Sequence, residues 1–223
     1  MSRGSGARRS PASKREAGVP SVAGFLFLLL LAGGCASSRV TPATPEETAR
    51  TSTAWSEAIA RADLGRDANV LYDATMSQGV VSRHGTLAVK LRGQNVEGSL
   101  SGPLGVPIAT YADGVLRGEK IEPIRIAPHQ LRAVLSGVWT AQPEVAGRRG
   151  TEMLLRWPGP DAAEGRFDVA AGELVRLTVR RPEGELEAVY SGARNPWPEN
   201  ITIEEKRTGS RLNLKLLSRE TPS

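Results

Sequence analysis

Cysteine is nearly absent from the 223 residues: Cys35 is the sole one, which excludes an intramolecular disulfide and a thiolate-ligated metal site. Histidine occurs twice, at His84 and His129, too far apart for a metal-ligand spacing. Both read as solvated side chains, His84 near a turn or strand start and His129 in the first turn of a short helix. The chain has no G-x-S-x-G nucleophile elbow and no phosphate loop. Acids in "DVAAGE" and "PEGELE" sit at strand ends as turn residues, and no pair of them is singled out for hydrolysis. The expectation is a protein that is not an enzyme and carries no cofactor and no metal. A long apolar run is lacking too, since Val22 to Ala32 is about half of the ~20 residues a membrane-spanning helix needs. Charge of one sign is in excess only at the N-terminus. Arg3, Arg8, Arg9, Lys14 and Arg15 stand there against Glu16; of 29 basic and 24 acidic residues, 24 and 23 remain beyond it. The sequence pI near 9.8 therefore belongs mostly to that leader, and nucleic acid is not an expected partner.

What is present begins with that leader. A basic stretch, a short greasy core and small residues before a cut site define an export signal. Leu31-Ala32-Gly33-Gly34-Cys35 resembles the lipobox of bacterial lipoproteins, with Cys35 as the acylated residue. An ordinary export signal with an incidental cysteine is the alternative. The predicted organisation is a lipoprotein signal peptide over 1–34, a lipidated tether over 35–43 and one domain over 44–223. Ala36-Ser37-Ser38 lack the aspartate at the second mature position that commonly retains lipoproteins in the inner membrane. The expected location is the outer membrane, lipid-anchored and facing the periplasm.

The domain opens on "TPEETARTSTAWSEAIARADL", where Thr44, Pro45 and Glu47 form a helix start with a capping box. Trp55, Ala58, Ile59 and Ala62 then mark one apolar face, which predicts a helix over about 45–64. A second, shorter helix is predicted in "APHQLRAVLSG" (127–137), with Pro128 at its start and Gly137 at its end. Much of the rest alternates with period two: "TLAVKL" (86–91), "LVRLTVR" (174–180), "ELEAVY" (185–190), "NITIEEK" (200–206) and "RLNLKLL" (211–217). One apolar face per strand predicts an antiparallel sheet wet on its other side. In "LVRLTVR" the alternation assigns Val175, Leu177 and Val179 to the apolar face. "RPEG" (181–184) and "RTGS" (207–210) read as hairpin turns. The fold class is α+β, mainly β, with a curled sheet covered by two helices. A filled core and a curled sheet enclosing a greasy pocket both fit this pattern.

One turn is unusual. "LSGPLGVP" (100–107) places Leu104 and Val106 where the chain leaves its sheet, a position that is ordinarily polar. Together with "IRIAPHQLRAVLSG" (124–137), "GELVRLTVRRPEGELEAVYSG" (172–192) and "WPENITIEEKRTGSRLNLKLLSRE" (197–220), it resembles in order and spacing the LolB family of outer-membrane lipoprotein receptors. Two departures stand beside the match: "GQN" (93–95) makes a tight link where the family has a longer segment, and "EGSLSG" carries no aromatic residue. The resemblance implies an incomplete β-barrel whose apolar cavity holds lipoprotein acyl chains, taken from a LolA-like periplasmic carrier. On that reading the apolar walls that contact acyl chains are expected to include Leu87, Val89, Ile108, Leu131, Leu135, Val175 and Leu177. The resemblance also implies a membrane-insertion loop at Leu104 and Val106, although Leu104 folded back onto the core is the alternative. The expected partners are lipoprotein acyl chains, that carrier and the membrane reached through Cys35, with the receptor a monomer. A structural or assembly lipoprotein with a filled interior is the rival function.

Overall fold

The computed structural model describes residues 39–221, so the signal segment, Cys35 and the first part of the tether lie outside the described residues. Helix α1 (Pro45–Ala62) starts as its sequence dictates: Thr44 Oγ1 accepts from the Glu47 N–H at 3.2 Å, and Glu47 Oε2 accepts from the Thr44 N–H at 2.8 Å. Strands β1 (Ala68–Gln78), β2 (Val81–Arg92) and β3 (Asn95–Ser101) follow, then a single 3₁₀ turn at Pro103–Gly105. Next come β4 (Pro107–Ala112), β5 (Val115–Gly118), β6 (Ile121–Arg125) and helix α2 (Pro128–Ser136). Seven more strands complete the chain: β7 (Glu144–Arg149), β8 (Glu152–Trp157), β9 (Ala163–Asp168), β10 (Glu173–Arg181), β11 (Gly184–Arg194), β12 (Pro198–Glu205) and β13 (Ser210–Glu220).

All 13 strands form one antiparallel sheet, in which β1 pairs with β13 and joins a run from β6 to β1 with a run from β13 to β7. Twist accumulating over so many strands curls the sheet. Its β6 end folds over the inner face of β1, where the Glu122 N–H donates to Gln78 Oε1 at 2.9 Å and Arg207 pairs with Glu122 at 3.5 Å. β6 and β7 do not pair with each other, so the barrel stays open. This is the curled α+β sheet that the alternation predicts.

The helices cover different parts of the inner face. Trp55 on α1 is fully buried against Trp157 and Phe167, with ring centroids 5.2 and 5.4 Å away. Its indole N–H and that of Trp157 converge on the Ala141 carbonyl at 3.2 and 2.9 Å. Trp197 braces the last turn of α1 by donating to the Ala62 carbonyl at 3.0 Å. The buried apolar residues run from Trp55 to Leu214, so a soluble form of residues 39–223 contains the whole described core.

Two irregularities break the period-two pattern. In β10 a bulge against β9 between Leu174 and Arg176 resets the alternation, so that Leu174, Leu177 and Val179 are buried while Val175 is half-buried. In β13 the residues paired with β1 skip Leu217, which turns Arg219 onto the face of its partner Val70. The tether also differs from a free linker at its end. Thr41 exchanges two backbone hydrogen bonds with Arg148 on the edge strand β7, at 2.9 and 2.8 Å. Gly147 makes the approach possible, because a Cβ there would stand 2.8 Å from the Thr41 carbonyl oxygen.

A buried ion pair joins two hairpin ends. Arg181 and Glu205 face each other at 3.6 Å with side chains 5% and 4% exposed. Burial alone would raise the Glu205 pKa. Hydrogen bonds from Thr208 and Arg207, with the Arg181 charge, outweigh it and hold the carboxyl below its ordinary 4.5. A depressed carboxyl contributes stability above its ordinary value and loses it as pH falls through the folded one. Glu205→Gln is therefore expected to destabilise the domain by about 2 kcal/mol at pH 7, with a smaller penalty below pH 4.5. Urea unfolding at pH 7 and pH 3 checks this; an equal penalty at both would assign the effect to packing.

Candidate functional site: an apolar crevice and an exposed leucine loop

Under α2 the inner face leaves a crevice whose wall is apolar. Leu87 and Val89 of β2 supply one side, Tyr111, Leu116 and Ile124 the next, and Leu186, Ile203, Leu212 and Leu214 the floor across β11 to β13. Leu131 and Leu135 close it from the helix. The polar atom of Tyr111 is removed from the wall by a 2.7 Å hydrogen bond to the Ile126 carbonyl. The open space is about 30 Å³, roughly the share of one water molecule in the liquid. Side chains of the chain itself thus fill most of the interior in this conformation, and an alkyl chain enters only if α2 or the β4–β6 flap moves outward.

The second element is the loop between β3 and β4. Leu104 is fully exposed, at 101% of its reference area, and Val106 is 59% exposed. The loop closes on itself, with the Gly102 N–H donating to the Val106 carbonyl at 2.9 Å and the Gly105 N–H to the Gly102 carbonyl at 3.1 Å. Leu104 stands at φ 65°, ψ 17°, in the left-handed region, which costs a branched residue roughly 1–2 kcal/mol. The leucine is thus held in water by a strained turn rather than folded back onto the core. Gly85 lets the loop root lie across β2, since a Cβ there would meet the Ser101 carbonyl oxygen at 2.1 Å. At the same end of the sheet, the β1–β2 hairpin presents Val80 with its side chain fully exposed.

Of the residues expected at the acyl-chain site, Leu87, Val89, Leu131 and Leu135 meet at the crevice. Leu177 is fully buried, but in the core outside this lining. Ile108 is half-buried at the root of the loop beside Gly102. Val175 borders a shallow recess with Tyr190 and Gly192, displaced from the crevice by the β10 bulge. The flap residues Leu116 and Ile124 escape sequence reasoning because β5 and β6 are short and Pro123 interrupts their pattern. Val80 could have been found, as a valine following Gly79 at a hairpin tip. His84 lies on β2 beside Thr75 Oγ1 at 3.1 Å and Asp73 at 3.4 Å, and His129 pairs with Asp161 at 3.2 Å; both are largely exposed.

No protein-family model matches the chain, and no curated protein sequence matches it significantly. Similarity appears among solved structures. A LolA superfamily protein from Nitrosomonas europaea superposes with a TM-score of 0.50 at 13% identity, over 76% of this chain and 94% of that one. A DUF1329 family protein from Desulfovibrio piger gives a TM-score of 0.45 at 9% identity, covering 77% and 93%. A putative outer membrane lipoprotein-sorting protein domain from Vibrio parahaemolyticus gives 0.40 at 9% identity, covering 77% and 92%. At such identities the likeness is one of backbone architecture. The open antiparallel half-barrel with its two covering helices thus resembles in backbone fold the LolA superfamily protein from Nitrosomonas europaea.

Proposed function

We propose that the protein is an outer-membrane-anchored lipoprotein receptor, tethered through Cys35, which holds acyl chains beneath α2 and uses Leu104 to help insert them into the membrane. Its donor is a LolA-like periplasmic carrier, it acts as a monomer, and its cargo is the lipid part of lipoproteins. Passing alkyl chains between apolar surfaces breaks no covalent bond, so the task asks for no catalytic group. The observation that supports this most is Leu104, a fully exposed leucine kept in a left-handed turn. The backbone likeness to a LolA superfamily protein and the apolar lining of the crevice add to it. Each buried CH₂ contributes about 0.8 kcal/mol, so a chain of a dozen or more carbons contributes on the order of 10 kcal/mol gross, enough to drive the flap open.

One observation favours the rival function, a structural or assembly lipoprotein: the resting interior holds only about 30 Å³ of open space. Native mass spectrometry of residues 39–223 mixed with a triacylated lipopeptide separates the two. A one-to-one complex that disappears in Leu131→Asn/Leu135→Asn supports the receptor; an unliganded wild-type protein at saturating lipopeptide supports the scaffold. Far-ultraviolet circular dichroism confirms that the double variant is folded.

A further inference from the structure

Beside the apolar crevice lies a buried polar cluster that neither the fold nor the proposed receptor activity accounts for. Four side chains meet there: Tyr72 of β1, Tyr190 of β11, Arg132 of α2 and Arg219 of β13. The Tyr72 and Tyr190 hydroxyls, and Nε and Nη2 of both arginines, are shut off from solvent and have no hydrogen-bond partner among the described residues. Buried polar groups are nearly always paired, so a concentration of unpaired donors in one place calls for an acceptor.

Tyr72 lies within reach of Tyr190 and of the Arg219 charge, and Arg132 within reach of Arg219. Burial pushes the Tyr72 hydroxyl up, with Tyr190 adding and Arg219 opposing. Burial lowers the Arg132 guanidinium, with Asp67 opposing and Arg219 adding. Among the described residues neither arginine makes a salt bridge: the Asp67 charge reaches Arg132, but its carboxylate accepts from the Gly93 N–H at 2.9 Å and pairs with Arg92 at 3.9 Å. Arg132 gives one nitrogen to the Leu64 carbonyl. Arg219 lies over the Trp197 ring at 5.0 Å and borders a recess of about 320 Å³ that opens to solvent. Glu199 shares the recess, with its carboxylate accepting from the Ala193 N–H at 3.2 Å.

The strand register sets the cluster next to the crevice. The skipped Leu217 places Arg219 in a cross-strand row with Val70, Val89, Gly98 and Tyr111, of which the last three line the crevice. Tyr72 stands directly opposite Leu87, another lining residue. An apolar trough beside two guanidinium forks and two phenolic donors matches a molecule with an alkyl chain and a terminal anion. We infer that the Arg132–Arg219 cluster binds the carboxylate or phosphate of an anionic single-chain amphiphile whose alkyl tail lies in the crevice. Such a ligand differs from the uncharged, amide- or ester-linked chains of a lipoprotein. The inference rests on the proposed capacity of the crevice to open for an alkyl chain.

Titration of residues 39–223 with dodecanoate, dodecyl phosphate and dodecanol, followed by calorimetry and tryptophan fluorescence, tests it. The expected result is that at least one anion binds about tenfold more tightly than dodecanol. Arg219→Gln should erase that preference while leaving dodecanol affinity unchanged, and Arg219→Lys should keep part of it. Should Arg219→Gln not fold, Tyr72→Phe carries the same test with an expected loss of about threefold. Equal affinity for anions and dodecanol, or a preference unchanged in these variants, overturns the anion site while the crevice stands. Acetate or inorganic phosphate competing as well as the alkyl anions would detach the anion from the crevice and overturn the amphiphile assignment. No binding of any alkyl probe, dodecanol included, removes the crevice itself and this inference with it.

Discussion

Replacing Trp55 with alanine is expected to destabilise the domain by about 4 kcal/mol and to loosen α1 from the sheet. The indole is fully buried and holds α1 onto β8 and β9 through Trp157 and Phe167. The helix brings little stability of its own to replace that contact. Five of its residues, Thr48, Thr51, Ser52, Thr53 and Ser56, turn their hydroxyls back onto carbonyls one turn earlier, which favours bending over straight helix. The lost N–H contributes less than the lost ring, because the Ala141 carbonyl keeps its 2.9 Å bond from Trp157. Trp55→Phe is accordingly expected to cost only about 1 kcal/mol. Urea unfolding gives both numbers. Hydrogen exchange should show α1 amides exposed in the alanine variant, with β12 and β13 still protected; a loss below 1 kcal/mol would mean that the capping box and Trp197 dock the helix without Trp55.

Leu104→Glu is expected to leave stability within about 0.5 kcal/mol and to abolish delivery of a triacylated lipopeptide into vesicles. The side chain makes no buried contact to lose, since it is fully exposed. In the proposed insertion step, loss of the leucine forfeits about 2 kcal/mol of burial, a factor of roughly thirty, before the charge adds its own penalty at the bilayer. Leu104→Gly separates strain from function: it relieves the left-handed turn and should raise the unfolding midpoint, yet deliver poorly. Delivery by Leu104→Glu at the wild-type rate would remove the loop from the mechanism.

The helices and the five strands read from their alternation are legible in the sequence because their signals are local, even though two of those strands carry a bulge. Thr44 and Glu47 fix one helix start, and Pro128 and Gly137 bracket the other helix. The two hairpin turns at 181–184 and 207–210 lie where their residues place them. What escapes is set by tertiary structure. The β10 bulge moves Val175 off the apolar face, and the skipped Leu217 brings Arg219 inward; neither leaves a mark in residue type. The flap of β4 to β6 is hidden by its short strands, although its Ile124 and Leu116 form a wall of the crevice. The volume of the interior was not legible either. It depends on how far the accumulated twist curls the sheet, bringing the Glu122 N–H of β6 onto Gln78 of β1, and no local pattern records that.

The pairing of Thr41 with Arg148 bears on self-association. An open sheet has two unprotected borders, each able to recruit a strand from another molecule. On β6 the border carries Pro123, which donates no hydrogen bond, between the charged Glu122 and Arg125. On β7 the polypeptide's own leading segment occupies it. Cleavage between Thr41 and α1 would uncover that border and leave a species prone to pair edge to edge with its neighbours.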